Sequence, residues 1–227
     1  MSEAENPTLI GSTELIVPVH TEKKFSSLNY KLIYLTGIKR FIDLILSILF
    51  FVTGLPFYII FGLLIKLDSK GPVLFKQIRT GLRNNSFLLY KFRSMRFRAE
   101  VNTGPVWTAQ NDPRITKVGQ FLRRFRLDEF PQLLNVLKGD TSFVGPRPER
   151  PFFVEKLKQE YPFYMHRLKV RPGITGRAQI KHGYDEHLED VREKLRYDFY
   201  YIENVGLWLD LKIIIRTIRV MLSGKGR

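Results

Sequence analysis

The pattern of apolar and polar positions changes character along the chain. From Leu44 to Ile65 every residue is uncharged and most are large and apolar. At 1.5 Å per residue, such a run is long enough for the roughly 30 Å hydrocarbon core of a bilayer. Pro56, just after Gly54, interrupts it near the middle, where a missing N–H kinks or breaks a helix. Two readings stay level here. One is a kinked span. The other is a pair of half-helices that enter and leave by one leaflet. The first is the commoner fate of such runs, while Lys39 and Arg40 before the run and Lys66 and Lys70 after it put positive charge at both ends, as the second requires. A buried soluble helix is the least favoured reading at this length.

After Asp68 the pattern becomes that of strands. Pro72 to Ile78 and Phe87 to Phe92 are β-prone, with turn material from Thr80 to Asn85 between them, which predicts a hairpin. Glu100 to Pro113 reads as a loop. Helical spacing then takes over. Thr116 can cap a helix to about Arg126, with Val118, Phe121, Leu122 and Phe125 on one face. A second helix starts after Asp128, tolerates Pro131 in its first turn and stops at Gly139. Pro151 opens a third, ending near Tyr161-Pro162, and a further helical stretch reaches about Val170. Arg171 to Ile180 reads as a glycine-containing loop passing into a short strand. Two more helices cover about Leu188 to Glu203 and Leu207 to Leu222. The last sets Lys212, Arg216 and Arg219 against Trp208, Leu211, Ile215, Ile218 and Leu222. That suits either a helix lying in a membrane interface or an amphipathic core helix. The expected fold class is α+β, mostly helical, with a small β-hairpin. The expected divisions are a mobile polar tail (1–27), a membrane-associated region (28–70) and a folded body (71–227). The tail begins acidic and lacks an apolar core, unlike a signal peptide.

Charge narrows the choice of partners. Lys and Arg number 37 against 22 Asp and Glu, a formal net charge of +15, which favours nucleic acid, anionic lipid or phosphorylated small molecules. The absence of Cys excludes disulfides and thiolate metal sites. The 18 Phe and 10 Tyr among so many cations point to a membrane interface.

Candidate chemistry concentrates at Arg123-Arg124-Phe125-Arg126-Leu127-Asp128-Glu129. Arginines, a helix start with Asp128 as its N-cap, and two adjacent carboxylates suit phosphate and a divalent cation. The plainer alternative is a capped surface helix with a salt-bridged turn. Arg147, locked between Pro146 and Pro148, is either a rigid phosphate ligand or an exposed residue on a stiff linker. Lys91 to Arg98 interleaves basic and aromatic residues, a pattern that suits either a nucleic-acid backbone or phosphates at a membrane surface. Arg171 to Ile180 has too few glycines, and no Lys, for a P-loop. Asp198, among Tyr197, Phe199, Tyr200 and Tyr201, is expected to be partly buried and either paired or part of a site. His182 and His187 read as surface or core residues rather than metal ligands.

Read together, these stretches resemble the bacterial sugar transferases, the monotopic polyprenyl-phosphate phosphoglycosyltransferases that begin exopolysaccharide, O-antigen and glycoprotein glycan synthesis. The matching pieces are Lys39-Arg40-Phe41-Ile42-Asp43, Lys66 to Val73, Tyr90 to Met95 and Leu127 to Leu133. Asn135 to Asp140, Val144 to Pro148, Arg171 to Gly176 and Leu209 to Lys212 follow, in family order from about residue 38 to 222. The resemblance implies a re-entrant membrane hairpin broken at the proline. It also implies a catalytic domain seated, with interfacial amphipathic helices, on the cytoplasmic face of the bacterial inner membrane. The implied reaction moves a hexose-1-phosphate from a UDP-sugar to undecaprenyl phosphate and releases UMP. Asp128 is the implied nucleophile, forming a covalent phosphosugar intermediate, and Glu129 with Asp128 the implied Mg²⁺ site. Lys91, Arg93, Arg123, Arg147, Arg171 and Asp198 fall at implied substrate- or phosphate-binding positions. The resemblance implies no nucleic-acid partner and leaves the oligomeric state open, a homodimer included. Leu55 stands before Pro56 where the family often has Ser, and Ile180 to Asp185 resembles the variant that handles galactose or glucose phosphates. The competing reading is a non-catalytic, basic, membrane-anchored protein that binds nucleic acid or acidic lipid.

Overall fold

The computed structural model describes residues 31, 33–101, 104, 106, 112–181 and 188–224. The tail (1–27), His182 and His187 lie outside them. The long apolar run forms two helices, α1 (Lys39–Thr53) and α2 (Leu55–Asp68), bent by 60° at Gly54. Pro56 sits in the first turn of α2, where no intrahelical partner for its N–H is needed. A Cβ at Gly54 would lie 2.6 Å from the Phe50 carbonyl oxygen, so the bend depends on glycine. Leu55 offers no hydroxyl at the break; Thr53 donates its own to the Leu49 carbonyl at 2.8 Å. Among the described residues no single helix is long and apolar enough to cross a membrane, although the bent pair together has the length and composition.

α1 is inverted relative to a helix of a water-soluble domain. Lys39, Asp43 and Ser47, four residues apart and so on one face, are buried, while Ile45, Ile48, Leu49 and Val52 are exposed. Lys39 and Asp43 of this buried polar stripe are paired with the rest of the chain, while Ser47 Oγ has no hydrogen-bond partner among the described residues. Lys39 pairs with Asp210, which also accepts from Tyr34 at 2.7 Å and Tyr201 at 2.9 Å. Asp43 accepts from the Phe143 N–H at 3.1 Å.

The expected hairpin is present as β1 (Leu74–Thr80) and β2 (Ser86–Phe92), antiparallel, in register from Leu74 opposite Phe92 to Thr80 opposite Ser86. Thr116 caps α3 (Lys117–Arg124), its hydroxyl accepting from Gly119 N–H at 3.0 Å. Asp68, at the end of α2, accepts from Val118 N–H at 3.0 Å and joins the apolar pair to α3.

Two expectations change. Asp128 is not an N-cap. A 3₁₀ turn runs from Leu127 to Gln132, entered through Arg126 in the left-handed region (φ 55°) and without a side-chain cap, and α4 (Leu133–Lys138) begins only after it. The Asp128 carboxylate is therefore not consumed by the helix start. The second change is that the strand after Arg171 falls on the glycine segment itself. β4 (Gly173–Thr175) pairs in parallel with β3 (Ser142–Val144), and Arg177–Lys181 forms a short helix, α6. The reason is contact between backbones: a Cβ on Gly173 would lie 2.1 Å from the Gly145 nitrogen. α5 (Pro151–Glu160) precedes this pair's second strand, and α7 (Leu188–Glu203) and α8 (Leu207–Leu222) close the fold.

α8 is not an amphipathic core helix. It buries Asp210 and Ile213, and its apolar stripe stays uncovered: Trp208 is 77% and Leu222 79% exposed, with Ile215 and Ile218 about half exposed.

Candidate active site

The 3₁₀ turn carries Asp128 and Glu129 to the floor of a cleft of about 1120 Å³, walled by the hairpin, the end of α3, the Pro146–Pro148 segment, α6 and α7. Small-molecule sites occupy roughly 300–1,000 Å³, so the space admits a substrate larger than a single sugar or nucleoside. Lys91, Arg123, Arg126, Arg147, Arg150 and Lys194 are among its basic lining residues and outweigh the acidic ones.

The two carboxylates differ sharply. Glu129 Oε1 accepts from Lys91 Nζ and from Arg147 Nη2, each at 2.8 Å. Burial works against its charge, but Arg147, Lys91 and Arg126 outweigh that and hold its pKa well below the usual carboxylate range. Asp128 has no hydrogen-bond or ion-pair partner among the described residues, although it is buried. Burial raises its pKa; Lys91, Arg123 and Arg147 pull the other way without cancelling that effect. The arrangement thus holds one carboxylate clamped and one unengaged, side by side beneath several cations. It can neutralise a diphosphate and present an oxygen nucleophile to it.

Lys91 is delivered by β2, and burial depresses its pKa. Arg123 comes from the last turn of α3 and lines the cleft. Arg147 is fixed through its backbone: its carbonyl accepts from Arg167 Nη2 at 2.9 Å. That guanidinium is itself held by the Asp198 carboxylate at 2.8 Å and the Tyr164 hydroxyl at 2.7 Å. Asp198 is buried in this pair rather than placed along the cleft, so it reaches the site only through Arg167 and Arg147. Arg93 lines the cleft with a divided guanidinium. Nη2 clamps the end of α2 at the Ile65 carbonyl (3.0 Å) and the Ser69 carbonyl (2.6 Å), while Nε and Nη1 are buried without a hydrogen-bond partner among the described residues. Arg171 is not brought to the cleft; its Nε donates to the Gly139 carbonyl at 3.1 Å, behind α4.

Several residues that matter to this geometry carried no motif signal strong enough to be assigned a role. Arg126 enters the cleft from its left-handed position just before the carboxylates. Glu149 and Lys194 pair at 2.7 Å in the cleft wall, with Arg79 3.7 Å from Glu149. A charged residue directly after Pro-Arg-Pro was visible in the sequence, but its partners, 45 and 70 positions away, were not.

Among the described residues no group of three or more His, Asp or Glu side chains stands ready as a metal cage. Mg²⁺ commonly takes one or two carboxylates and completes its shell with substrate phosphate and water. Asp128 and the second oxygen of Glu129 fit that donor set.

The family described as bacterial sugar transferase matches residues 34–224. Similar proteins include an Aeromonas hydrophila UDP-N-acetylgalactosamine-undecaprenyl-phosphate N-acetylgalactosaminephosphotransferase, 47% identical over 83% of this chain and 44% of its own length. An Escherichia coli UDP-glucose:undecaprenyl-phosphate glucose-1-phosphate transferase is 42% identical over 80% of this chain and 39% of its own. A Rhizobium leguminosarum exopolysaccharide production protein is 41% identical, over 83% of this chain and 98% of its own. The chain thus spans about two fifths of the length of the first two relatives, and nearly all of the third.

Proposed function

Because the chain belongs to the bacterial sugar transferase family, we propose that it moves a hexose-1-phosphate from a UDP-sugar to undecaprenyl phosphate and releases UMP. The observation that carries this reading is the unequal carboxylate pair: Glu129 clamped by Lys91 and Arg147, Asp128 unengaged beside it. A protein that only bound nucleic acid or acidic lipid would have no use for a buried carboxylate pair inside its basic surface.

An Asp128 oxygen attacks the sugar-bearing phosphorus of the donor. The new bond to Asp128 forms as the bond to the bridging oxygen breaks, and UMP leaves with the electron pair. An oxygen of the acceptor phosphate then attacks the same phosphorus, frees the Asp128 carboxylate and gives undecaprenyl diphosphate sugar. Arg123, Arg126 and Arg147 neutralise the repulsion between carboxylate and diphosphate and stabilise charge on the leaving group. Lys91 and Arg147 keep Glu129 ionised and turned toward the same phosphates. Mg²⁺, held by Glu129 and Asp128, would supply Lewis-acid neutralisation of the diphosphate. Splitting the transfer lets a soluble donor and a lipid acceptor use one site in turn.

The same reading seats the chain on the cytoplasmic leaflet of the bacterial inner membrane. The exposed apolar faces of α1, α2 and α8, and basic residues at both ends of the bent pair, support a hairpin that enters and leaves by one side. Placing the domain there shortens the acceptor phosphate's path to Asp128. The pathway served is the first membrane step of exopolysaccharide or O-antigen assembly.

The test is UMP release from UDP-glucose, UDP-galactose and UDP-N-acetylgalactosamine, with undecaprenyl phosphate and Mg²⁺. Wild type is expected to turn over at least one donor, and Asp128→Asn to fold normally without turnover. Substantial UMP release by Asp128→Asn would remove Asp128 from the nucleophile role, and no release by wild type with a broad donor panel would sink the transferase reading.

A further inference from the structure

β2 is paired with β1 along one edge only. Its other edge turns toward α4, which carries no strand to pair with the Tyr90 N–H and Leu88 C=O. A single side chain supplies both. Asn135, 0% exposed, accepts from the Tyr90 N–H through Oδ1 at 3.1 Å and donates to the Leu88 carbonyl through Nδ2 at 2.7 Å. Its amide thus makes the two bonds that a residue of a neighbouring strand would make. A further bond from Nδ2 reaches Asp140 Oδ2 at 3.1 Å.

Asn135 stands in the first turn of α4, directly after the 3₁₀ turn that bears Asp128 and Glu129. Lys91 directly follows Tyr90 on β2. One amide therefore ties the strand that delivers the cation to the helix that continues directly from the carboxylate-bearing turn. Asn135 itself does not line the cleft. We propose that Asn135 is a positioning residue that acts through Lys91: it sets the strand so that Nζ meets Glu129. This rests on the transferase reading for its catalytic consequence, though not for its geometry. The residue type is specific. Asp would lose the donor and set a carboxylate against the Leu88 carbonyl and Asp140, Ala would leave both backbone groups unpaired, and Gln would displace the amide by one methylene.

A double-mutant cycle tests it, using full-length protein in lipid nanodiscs with the donor panel and undecaprenyl phosphate. Asn135→Ala and Lys91→Met are each expected to lower kcat about tenfold or more. The double variant should fall no more than about twofold below Lys91→Met, because the lost positioning has nothing left to position. Losses that multiply, or full kcat in Asn135→Ala, would overturn the proposal. If Asn135→Ala does not fold, Asn135→Gln enters the same cycle. A second readout needs no activity: amide hydrogen exchange at Tyr90 should quicken about tenfold or more in the variant. Unchanged exchange there would also overturn the proposal. Absence of UMP release by wild type would strike the transferase reading alone and leave the exchange result to decide.

Discussion

Replacing Glu149 by Gln is expected to remove part of the acid sensitivity of the fold. The Glu149 carboxylate accepts from Lys194 Nζ at 2.7 Å and lies 3.7 Å from an Arg79 nitrogen, with side-chain exposures of 11%, 10% and 18% for the three residues. Burial pushes its pKa up, but Lys194, Arg167 and Arg79 outweigh burial and bring it down to about 2 from an ordinary 4.5. A depressed carboxylate pKa gives stability that is complete above the unfolded-state value. That stability is lost as pH falls through the folded-state value, here between about 4.5 and about 2. The gap corresponds to about 3 kcal/mol, and so little of the side chain is exposed that solvent screening takes little of it. Gln cannot ionise. At neutral pH it withdraws one negative charge from Lys194 and Arg79, a loss of about 3–5 kcal/mol for a buried pair, nearer the lower figure because an acceptor oxygen remains and Asp198 and Glu129 still act on the two cations. Urea unfolding in detergent micelles, followed by circular dichroism from pH 7 to pH 2, measures both proteins. Their stabilities should differ by about 3 kcal/mol at pH 6 and converge toward pH 2. Curves that run parallel across this window would refute the assignment of that acid sensitivity to Glu149, because other carboxylates titrate in both proteins alike.

Asp198→Ala should destabilise the protein by about 3–5 kcal/mol, since it strands the buried Arg167 guanidinium, and adding Arg167→Met should recover most of that loss. Denaturant midpoints decide it; no recovery in the double variant would mean that the stranded charge is not the cause. For topology, the chain has no native Cys, so Ile33→Cys and Asn84→Cys give clean single labels at exposed positions before and after the bent pair. Both should react from the same face of proteoliposomes, and reaction from opposite faces would establish a true span.

Features written in neighbouring residues were legible from the chain alone. The Thr116 cap, the Gly139 stop, the hairpin around Leu82 and the break at Gly54-Leu55-Pro56 follow from local sterics and hydrogen bonding, which act over a few residues. The Asp128-Glu129 pair also stood out, as a cluster of charges within one turn. Its local sequence suits an N-cap at Asp128, but the chain enters a 3₁₀ turn there through the left-handed Arg126, which leaves Asp128 inside the turn rather than at a helix start. For α8 the periodicity gave the right stripe but not its surroundings. The same spacing serves a core face or an exposed one, and which of these occurs depends on what packs opposite, here Asp210 and Ile213 rather than Trp208 and Leu222.

The division of labour within the carboxylate pair belongs to the fold. Glu129 is clamped by Lys91 from 38 residues before it and by Arg147 from 18 after it, while Asp128 is left unengaged. Asp198, recognised only as a carboxylate among aromatics, turns out to support Arg147 at one remove through Arg167. Residue spacing carries no record of such contacts between distant segments. Local preference could announce where carboxylates, arginines and a broken apolar helix lie, because those depend on adjacent atoms. Which charge meets which depends on how strands and helices pack; burial raises the pKa of both neighbouring carboxylates, and the cations that packing closes on Glu129 reverse the shift there but not at Asp128.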